Sequence, residues 1–184
     1  YLKKQKTALG VPDKDTMDVA IKSLGLNDIS KFDLNASVVE YALSNENFLI
    51  NRDLKSFMNE LSRNSATPGG GSVSALSGAL SASLISMVIA LSGSRSLDRY
   101  AIQAQSLKSD LLLLIEEDAK AFDVVMQAFR QPKKTKEDKE RRLKQIEDSY
   151  KKAVYPPISI LEKSHKLLSI VNKIYRKIGD NCMS

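Results

Sequence analysis

The chain has 184 residues, of which 42% are hydrophobic and 27% are charged, and its formal net charge is +6. These values are ordinary for a globular protein with one sizeable core. The only cysteine, Cys182, and the only histidine, His165, exclude an internal disulfide and argue against a metal site of the usual zinc type. The basic first residues lack the apolar segment of a secretory signal, so we expect a cytoplasmic protein.

Helical spacing of apolar residues recurs along the chain, and no alternating run is long enough to predict a strand. A short helix is predicted over residues 14–24, where Gly25 ends it, and another begins at Asn35. Residues 45–51 are polar and irregular. We therefore predict a linker segment at 1–50 and a helical domain at 51–184.

Five helices are predicted in that domain, which makes it an all-α bundle. They cover residues 54–61, 72–92 and 97–130, a segment capped by Thr135, and a segment after the helix-breaking Pro156 and Pro157. Spacing assigns apolar faces to the last three helices. These faces are Leu111, Leu114, Ile115, Phe122, Val125 and Phe129; Leu143, Ile146, Tyr150 and Ala153; and Ile158, Leu161, Leu168, Val171, Tyr175 and Ile178.

The helix at 72–92 lies in a charge-free run that extends over residues 64–94. About 20 such residues could cross a bilayer. However, the helix contains seven serines, and its basic flanks show no clear asymmetry. Ser74, Ser77 and Ser81 line one side with Gly78 beside them, which permits close helix packing. We therefore predict no membrane span but a helix at the centre of the bundle, surrounded on all sides, including across a subunit interface.

Three consecutive glycines enter this helix after Pro68. No side chain blocks the approach of a ligand to the backbone of Gly69, Gly70 and Gly71, and the predicted N-cap is Ser72. Free N–H groups and the positive end of the helix dipole converge there, which suits an anionic or carbonyl oxygen of a ligand. A tight turn into a core helix is the alternative.

One carboxylate falls within an apolar stripe. Asp118 continues the spacing of Leu111 and Leu114, and burying its charge is costly unless it is paired or hydrogen-bonded. Such a group is a candidate general acid or base, or else a structural carboxylate that accepts hydrogen bonds. Glu116 and Glu117 are expected to be solvated. His165 has the spacing of a core or edge residue, and Cys182 has no base beside it.

Two stretches are basic. Residues 133–152 contain nine Lys or Arg and five Asp or Glu, and residues 163–177 contain five Lys or Arg and no acid. Such surpluses favour anionic partners. Tyr150 is the single aromatic residue in the first stretch, which leaves little to stack on bases, so we expect no nucleic-acid binding.

Several segments, in order and at plausible spacing, resemble the cyclodeaminase domain of formiminotransferase–cyclodeaminase. They are NSATPGGGS at 64–72, SMV at 86–88, EDAKAFD at 117–123, PK at 132–133, RR at 141–142 and GDNCMS at 179–184. Upstream, SLGL at 23–26, FD at 32–33 and VVEY at 38–41 resemble the end of the formiminotransferase part and its connector. The resemblance leads us to expect that 1–50 belongs to that connector and that 51–184 is an incomplete cyclodeaminase domain.

The resemblance implies an all-helical, dimeric domain that closes 5-formimidoyltetrahydrofolate to 5,10-methenyltetrahydrofolate and releases ammonia in histidine degradation. It implies tetrahydrofolate as substrate, with or without a polyglutamate tail, and no metal. On this basis Asp118 is the candidate catalytic residue. Pro68, Gly69, Gly70, Gly71 and Ser72 are the candidate folate-binding residues. Two alternatives stay open: a methenyltetrahydrofolate cyclohydrolase on the same scaffold, and a non-catalytic helical dimerisation module.

Overall fold

The computed structural model describes residues 13–28, 32–33 and 49–178. These parts contain α1 (Asp13–Ser23), α2 (Leu54–Leu61), α3 (Gly70–Ser92), α4 (Asp98–Phe129), α5 (Lys136–Ala153) and α6 (Tyr155–Ile178). Short 3-10 helices, Leu49–Asn51 and Arg95–Leu97, precede α2 and α4. No strand occurs in the described ranges, and the all-α prediction is confirmed.

Local signals set the ends of most helices where the sequence predicts them. Gly25 follows α1 with a φ of +64°, and Gly93 ends α3 with a φ of +63°, both in the left-handed region that glycine favours. Thr135 begins α5 with a capping box, in which its hydroxyl accepts from the Asp138 N–H and the Asp138 carboxylate accepts from the Thr135 N–H. The helix predicted from Asn35 and the segment 179–184 lie outside the described residues.

The core forms where α3 packs along α4 and α6 packs against both, while α5 packs on another side of α4. Small residues bring α3 close to its neighbours. A Cβ at Gly78 would lie 3.1 and 3.3 Å from the two methyl carbons of Leu111 on α4, and 3.6 Å from Ser164 Oγ on α6. Glycine at this position therefore lets one turn of α3 contact two helices at once.

The predicted apolar face of α6 is wrong except at Ile178, which is partly buried against the core. Besides Pro156 and Ser159, α6 buries Ile160, Leu167, Ile170 and Ile174, while Leu161, Leu168 and Tyr175 are exposed. Two apolar stripes run along this helix, and α3 and α4 cover only one of them. Spacing within one helix shows that a stripe exists but not which stripe another helix will cover.

The faces predicted for α4 and α5 are partly wrong for the same reason. On α4, Leu111, Leu114, Ile115 and Val125 are buried, but Phe122 and Phe129 are partly exposed. Along α5 the buried side chain is Ser149, and the predicted Leu143 and Tyr150 are exposed. Because α5 packs chiefly on α4, most of its surface faces solvent within this chain.

The helix α3 has a second apolar face. Its buried residues include Ala75, Ala82 and Ile89, and 3.6 residues per turn place Leu80, Leu84, Met87 and Leu91 on the opposite side. Those four side chains are between 50% and 76% exposed. Within this chain α3 is therefore not surrounded on all sides as predicted. The length and apolar composition of α3 would also allow it to cross a membrane, but core helices of soluble proteins often have the same length and composition.

Candidate functional site

The glycine turn forms the start of α3, one turn earlier than predicted. Gly69 is the N-cap in an extended conformation, with φ −123° and ψ −162°, and the helix begins at Gly70. The first helical bond runs from the Val73 N–H to the Gly69 carbonyl, at 3.1 Å. The N–H groups of Gly70, Gly71 and Ser72 consequently have no acceptor within the helix, and they lie at the positive end of its dipole.

Ser72 is not the N-cap, which corrects the prediction for this residue. Its side chain is fully buried between α3 and α4, and its Oγ lies 3.0 Å from the Ile115 carbonyl oxygen and 3.1 Å from Asp118 Oδ2. A hydroxyl has a single hydrogen to donate, so these two oxygens share it or alternate. Ser72 thereby links the first turn of α3 to the part of α4 that carries Asp118.

The carboxylate of Asp118 lies against the backbone of Gly71. A Cβ built on Gly71 would overlap with the carboxyl carbon and with both oxygens of Asp118. Only glycine leaves this space free, so the contact explains the residue type at position 71. Position 71 requires glycine because glycine has no Cβ, and not because the backbone has a positive φ there. The described glycines with positive φ are Gly25 and Gly93.

Among the described residues, Asp118 is contacted by a hydroxyl and a helix end and not by a cation. The side chain is partly buried, and in the described ranges no Lys or Arg nitrogen lies within 4 Å of its carboxylate. The Ser72 hydroxyl and the N-terminal end of α3 are the groups that face it. The structural alternative, a buried carboxylate that accepts a hydrogen bond, is compatible with the same contacts.

The side of the turn away from Asp118 is open. Gly70 is exposed, and a Cβ at this position would meet nothing within 4 Å. A Cβ at Gly69 would meet only the Ala66 carbonyl oxygen, at 3.6 Å. Pro68 is buried behind the turn. A ligand oxygen therefore has room to approach the first N–H groups of α3 next to Asp118.

A contact that sequence reasoning missed fixes the loop before the turn. The Thr67 hydroxyl donates to Asp123 Oδ1 at 2.7 Å, which ties this loop to α4 five residues beyond Asp118. No local pattern pairs a threonine with an aspartate 56 positions later. Asp123 therefore acts as an anchor for the loop that carries Pro68.

An apolar pocket of about 160 Å³ adjoins the site. Leu76, one turn after Ser72, and Ile115, whose carbonyl accepts from Ser72, lie in its wall with residues of the 49–57 segment. Glu116 was expected to be solvated, but its carboxylate accepts a hydrogen bond from the Leu49 N–H and holds that segment over α4. The pocket shares Ile115 with the contacts of Ser72, but neither the glycine turn nor Asp118 lines it.

The remaining candidates do not join this site. His165 is exposed on α6, where its carbonyl accepts from the Ser169 hydroxyl at 3.0 Å. Cys182 lies outside the described residues. Among the side chains that are described, no three His, Cys, Asp or Glu cluster as metal ligands would.

Comparisons with known proteins match most of this chain to one family. The sequence profile of the family described as formiminotransferase-cyclodeaminase matches residues 53–184. Formimidoyltransferase-cyclodeaminase of Mus musculus is 28% identical over all of this chain, and that of Sus scrofa is 29% identical over 88% of it. The chain spans about a third of these relatives, 36% and 32% of their lengths.

A second kind of relative has a different name. Methenyltetrahydrofolate cyclohydrolase of Methylorubrum extorquens is 30% identical over 73% of this chain, and the match covers 68% of that protein. Both names denote enzymes of folate metabolism. The match over most of the chain, from the residue that caps α2 to the last residue, shows that this protein belongs to the formiminotransferase-cyclodeaminase family.

Proposed function

We propose that the described helices form a cyclodeaminase domain that converts 5-formimidoyltetrahydrofolate to 5,10-methenyltetrahydrofolate and ammonia. The observation that carries the proposal is the Asp118 carboxylate held against Gly71 beside an open helix N-terminus. In this proposal the enzyme works in histidine degradation in the cytoplasm, and residues 1–50 connect it to a formiminotransferase domain. The family match and the names of the mammalian relatives support this reading.

The proposed reaction needs one group that moves a proton. Folate N10 attacks the formimidoyl carbon, a new C–N bond forms, and N10 loses its proton. The former imino nitrogen takes up two protons, one that comes from N10 and one from solvent, and leaves as ammonia when its bond to carbon breaks, while N5 supplies the electron pair that completes the methenyl bridge. Asp118 accepts the N10 proton and returns it to the leaving nitrogen, which is the role of a general base and then a general acid.

The glycine turn has a binding role in this proposal. The N–H groups of Gly70 and Gly71 hold a carbonyl or carboxylate oxygen of the folate, because they lack helical acceptors and the space beside Gly70 is open. In the same proposal Pro68 and Gly69 shape the path by which the folate reaches these N–H groups. Ser72 orients Asp118. The apolar pocket beside Ile115 receives a ring of the substrate.

The cyclohydrolase reaction is the second candidate, and the relative from Methylorubrum extorquens favours it. In that reaction water attacks the methenyl carbon, and the same carboxylate would take the proton of the water. The geometry at Asp118 suits either reaction, because in each one a bond forms at the one-carbon unit that the folate carries.

A direct assay separates the two candidates. The purified chain is given 5-formimidoyltetrahydrofolate, with ammonia release as the readout, and separately 5,10-methenyltetrahydrofolate, with loss of its absorbance as the readout. Ammonia release at least tenfold above the uncatalysed rate, without accelerated methenyl hydrolysis, is the expected result. Accelerated hydrolysis alone would favour the cyclohydrolase, and no turnover by a folded chain would favour the non-catalytic module.

We also propose that the exposed face of α3 packs against a second copy of this chain. Leu80, Leu84, Met87 and Leu91 form a continuous, charge-free stripe over three turns. The neighbouring Ser77 and Ser81 hydroxyls already donate to carbonyls one turn back, at 2.9 Å each, so burying them leaves no donor unsatisfied. In a two-fold symmetric dimer the stripe of one subunit would pack against the same stripe of the other, so both copies of each leucine would be buried.

Leu84→Glu should convert such a dimer to a monomer, because it would bury an unpaired carboxylate at the centre of the contact. The measurement is molar mass by light scattering after size-exclusion chromatography. Leu143→Glu, at an exposed leucine of α5, is the matched control and should remain dimeric. A parent that is monomeric at the highest attainable concentration would contradict the proposal, and a parent that partitions into lipid vesicles would favour a membrane role for α3.

A further inference from the structure

A second pocket lies at the other end of α4 from Asp118. It has a volume of about 570 Å³ and is formed by the first turn of α4 and the last turns of α6. Its lining residues are Arg99, Tyr100, Ser169, Asn172, Lys173 and Lys177. At 1.5 Å per residue, Tyr100 and Asp118 are about 27 Å apart along the helix, so the two sites are separate.

Three cations line the pocket, and no acidic residue of the described ranges lines it with them. In the described ranges, no carboxylate oxygen lies within 4 Å of the side-chain nitrogens of Arg99, Lys173 or Lys177. By contrast, Lys163, earlier on α6, pairs with Asp110 at 2.7 Å. Asp98, the acid in the first turn of α4, is not among the lining residues. At the end of the basic stretch 163–177, Lys173 and Lys177 therefore have no acidic partner among the described residues.

A buried ring positions two of these cations, Arg99 and Lys177. Tyr100 is 6% exposed, and the Arg99 guanidinium lies 4.6 Å from its ring centroid and donates to its hydroxyl at 2.8 Å. The Lys177 ammonium lies 5.9 Å from the same centroid. Cation–π contacts and the hydrogen bond restrict both long side chains, so less conformational entropy is lost when a ligand binds.

We propose that this pocket binds a small multiply charged oxyanion, through phosphate or carboxylate groups that Arg99, Lys173 and Lys177 contact together. The pocket is a shallow, open depression, and the feature that sets it apart from an ordinary lysine-rich surface is that two of its three cations contact one buried ring. Arg99 offers donors in a planar fork, Asn172 offers an amide, and the lysines supply charge. The positive end of the α4 dipole adds to the field.

Calorimetric titration of the 184-residue chain tests the proposal, with inorganic tripolyphosphate and citrate as the phosphate and carboxylate probes. The test variant is Lys173→Gln with Lys177→Gln. Its control is Lys144→Gln with Lys152→Gln on α5, which removes the same charge from exposed positions. We expect the affinity for the preferred probe to fall at least tenfold in the pocket variant and less than twofold in the control.

The two probes identify the ligand class. Tighter binding of tripolyphosphate assigns the site to phosphates, and equal or tighter binding of citrate assigns it to carboxylates. The melting temperature of the pocket variant should equal that of the parent because both lysines are exposed. If the double variant is less stable, the titration is repeated with Lys173→Gln alone. Equal losses in the pocket variant and the control, or no saturable binding of either probe by the parent at millimolar concentration, would overturn the proposal.

Discussion

Replacing Gly71 with alanine should lower turnover about 100-fold or more, whereas Gly70→Ala should retain most of it. The new methyl group at position 71 would occupy the space of the Asp118 carboxylate, while at position 70 it would meet nothing within 4 Å. A displacement of about 1 Å at a reacting group can cost on the order of 10²-fold in rate. The displaced carboxylate would also move away from the Ser72 hydroxyl.

The Gly71→Ala substitution should affect the rate without unfolding the protein. The atoms in its way belong to the end of a side chain, which can rotate, and not to backbone. Alanine in a helix is favoured over glycine by about 1 kcal/mol, which offsets part of the lost contact. Single-turnover rates and thermal melts of both alanine variants provide the comparison. If Gly71→Ala turned over substrate as fast as the parent, the position of Asp118 would be irrelevant to the reaction.

Asp118→Asn should have the second large effect, a loss of about 10²- to 10⁴-fold in turnover with the fold retained. This range is the usual contribution of a general acid or base. An asparagine side chain has nearly the same shape as aspartate and still offers an oxygen to the Ser72 hydroxyl, so the contact between α3 and α4 persists. It cannot accept the N10 proton of the proposed reaction.

The control for Asp118→Asn is Asp123→Asn, which changes an exposed carboxylate on the same helix. The asparagine oxygen can still accept from Thr67, so this variant should turn over close to the parent rate. Rates and melting temperatures of the two variants decide between the roles of Asp118. Unfolding of Asp118→Asn would assign this carboxylate a structural role, and full activity with unchanged stability would contradict both the catalytic and the structural role.

The sequence by itself determined the helices and most of their ends. Gly25, the Thr135–Asp138 capping box and Pro156 act on the backbone within a few residues, so their effects can be read locally. It also singled out Asp118 and the glycine turn as candidates, because a carboxylate in an apolar stripe and three adjacent glycines are unusual in any helix. The role of these residues in catalysis stays a prediction.

Only the tertiary structure decided how these elements meet. Nothing in α6 by itself distinguishes the stripe of Ile160 and Leu167 from that of Leu161 and Leu168; contact with α3 and α4 makes the choice. The placement of Asp118 against Gly71, 47 positions earlier, likewise depends on how two helices pack. Helix formation depends on neighbours in sequence, whereas burial and site geometry depend on contacts between distant segments, which side-chain spacing along one helix does not encode.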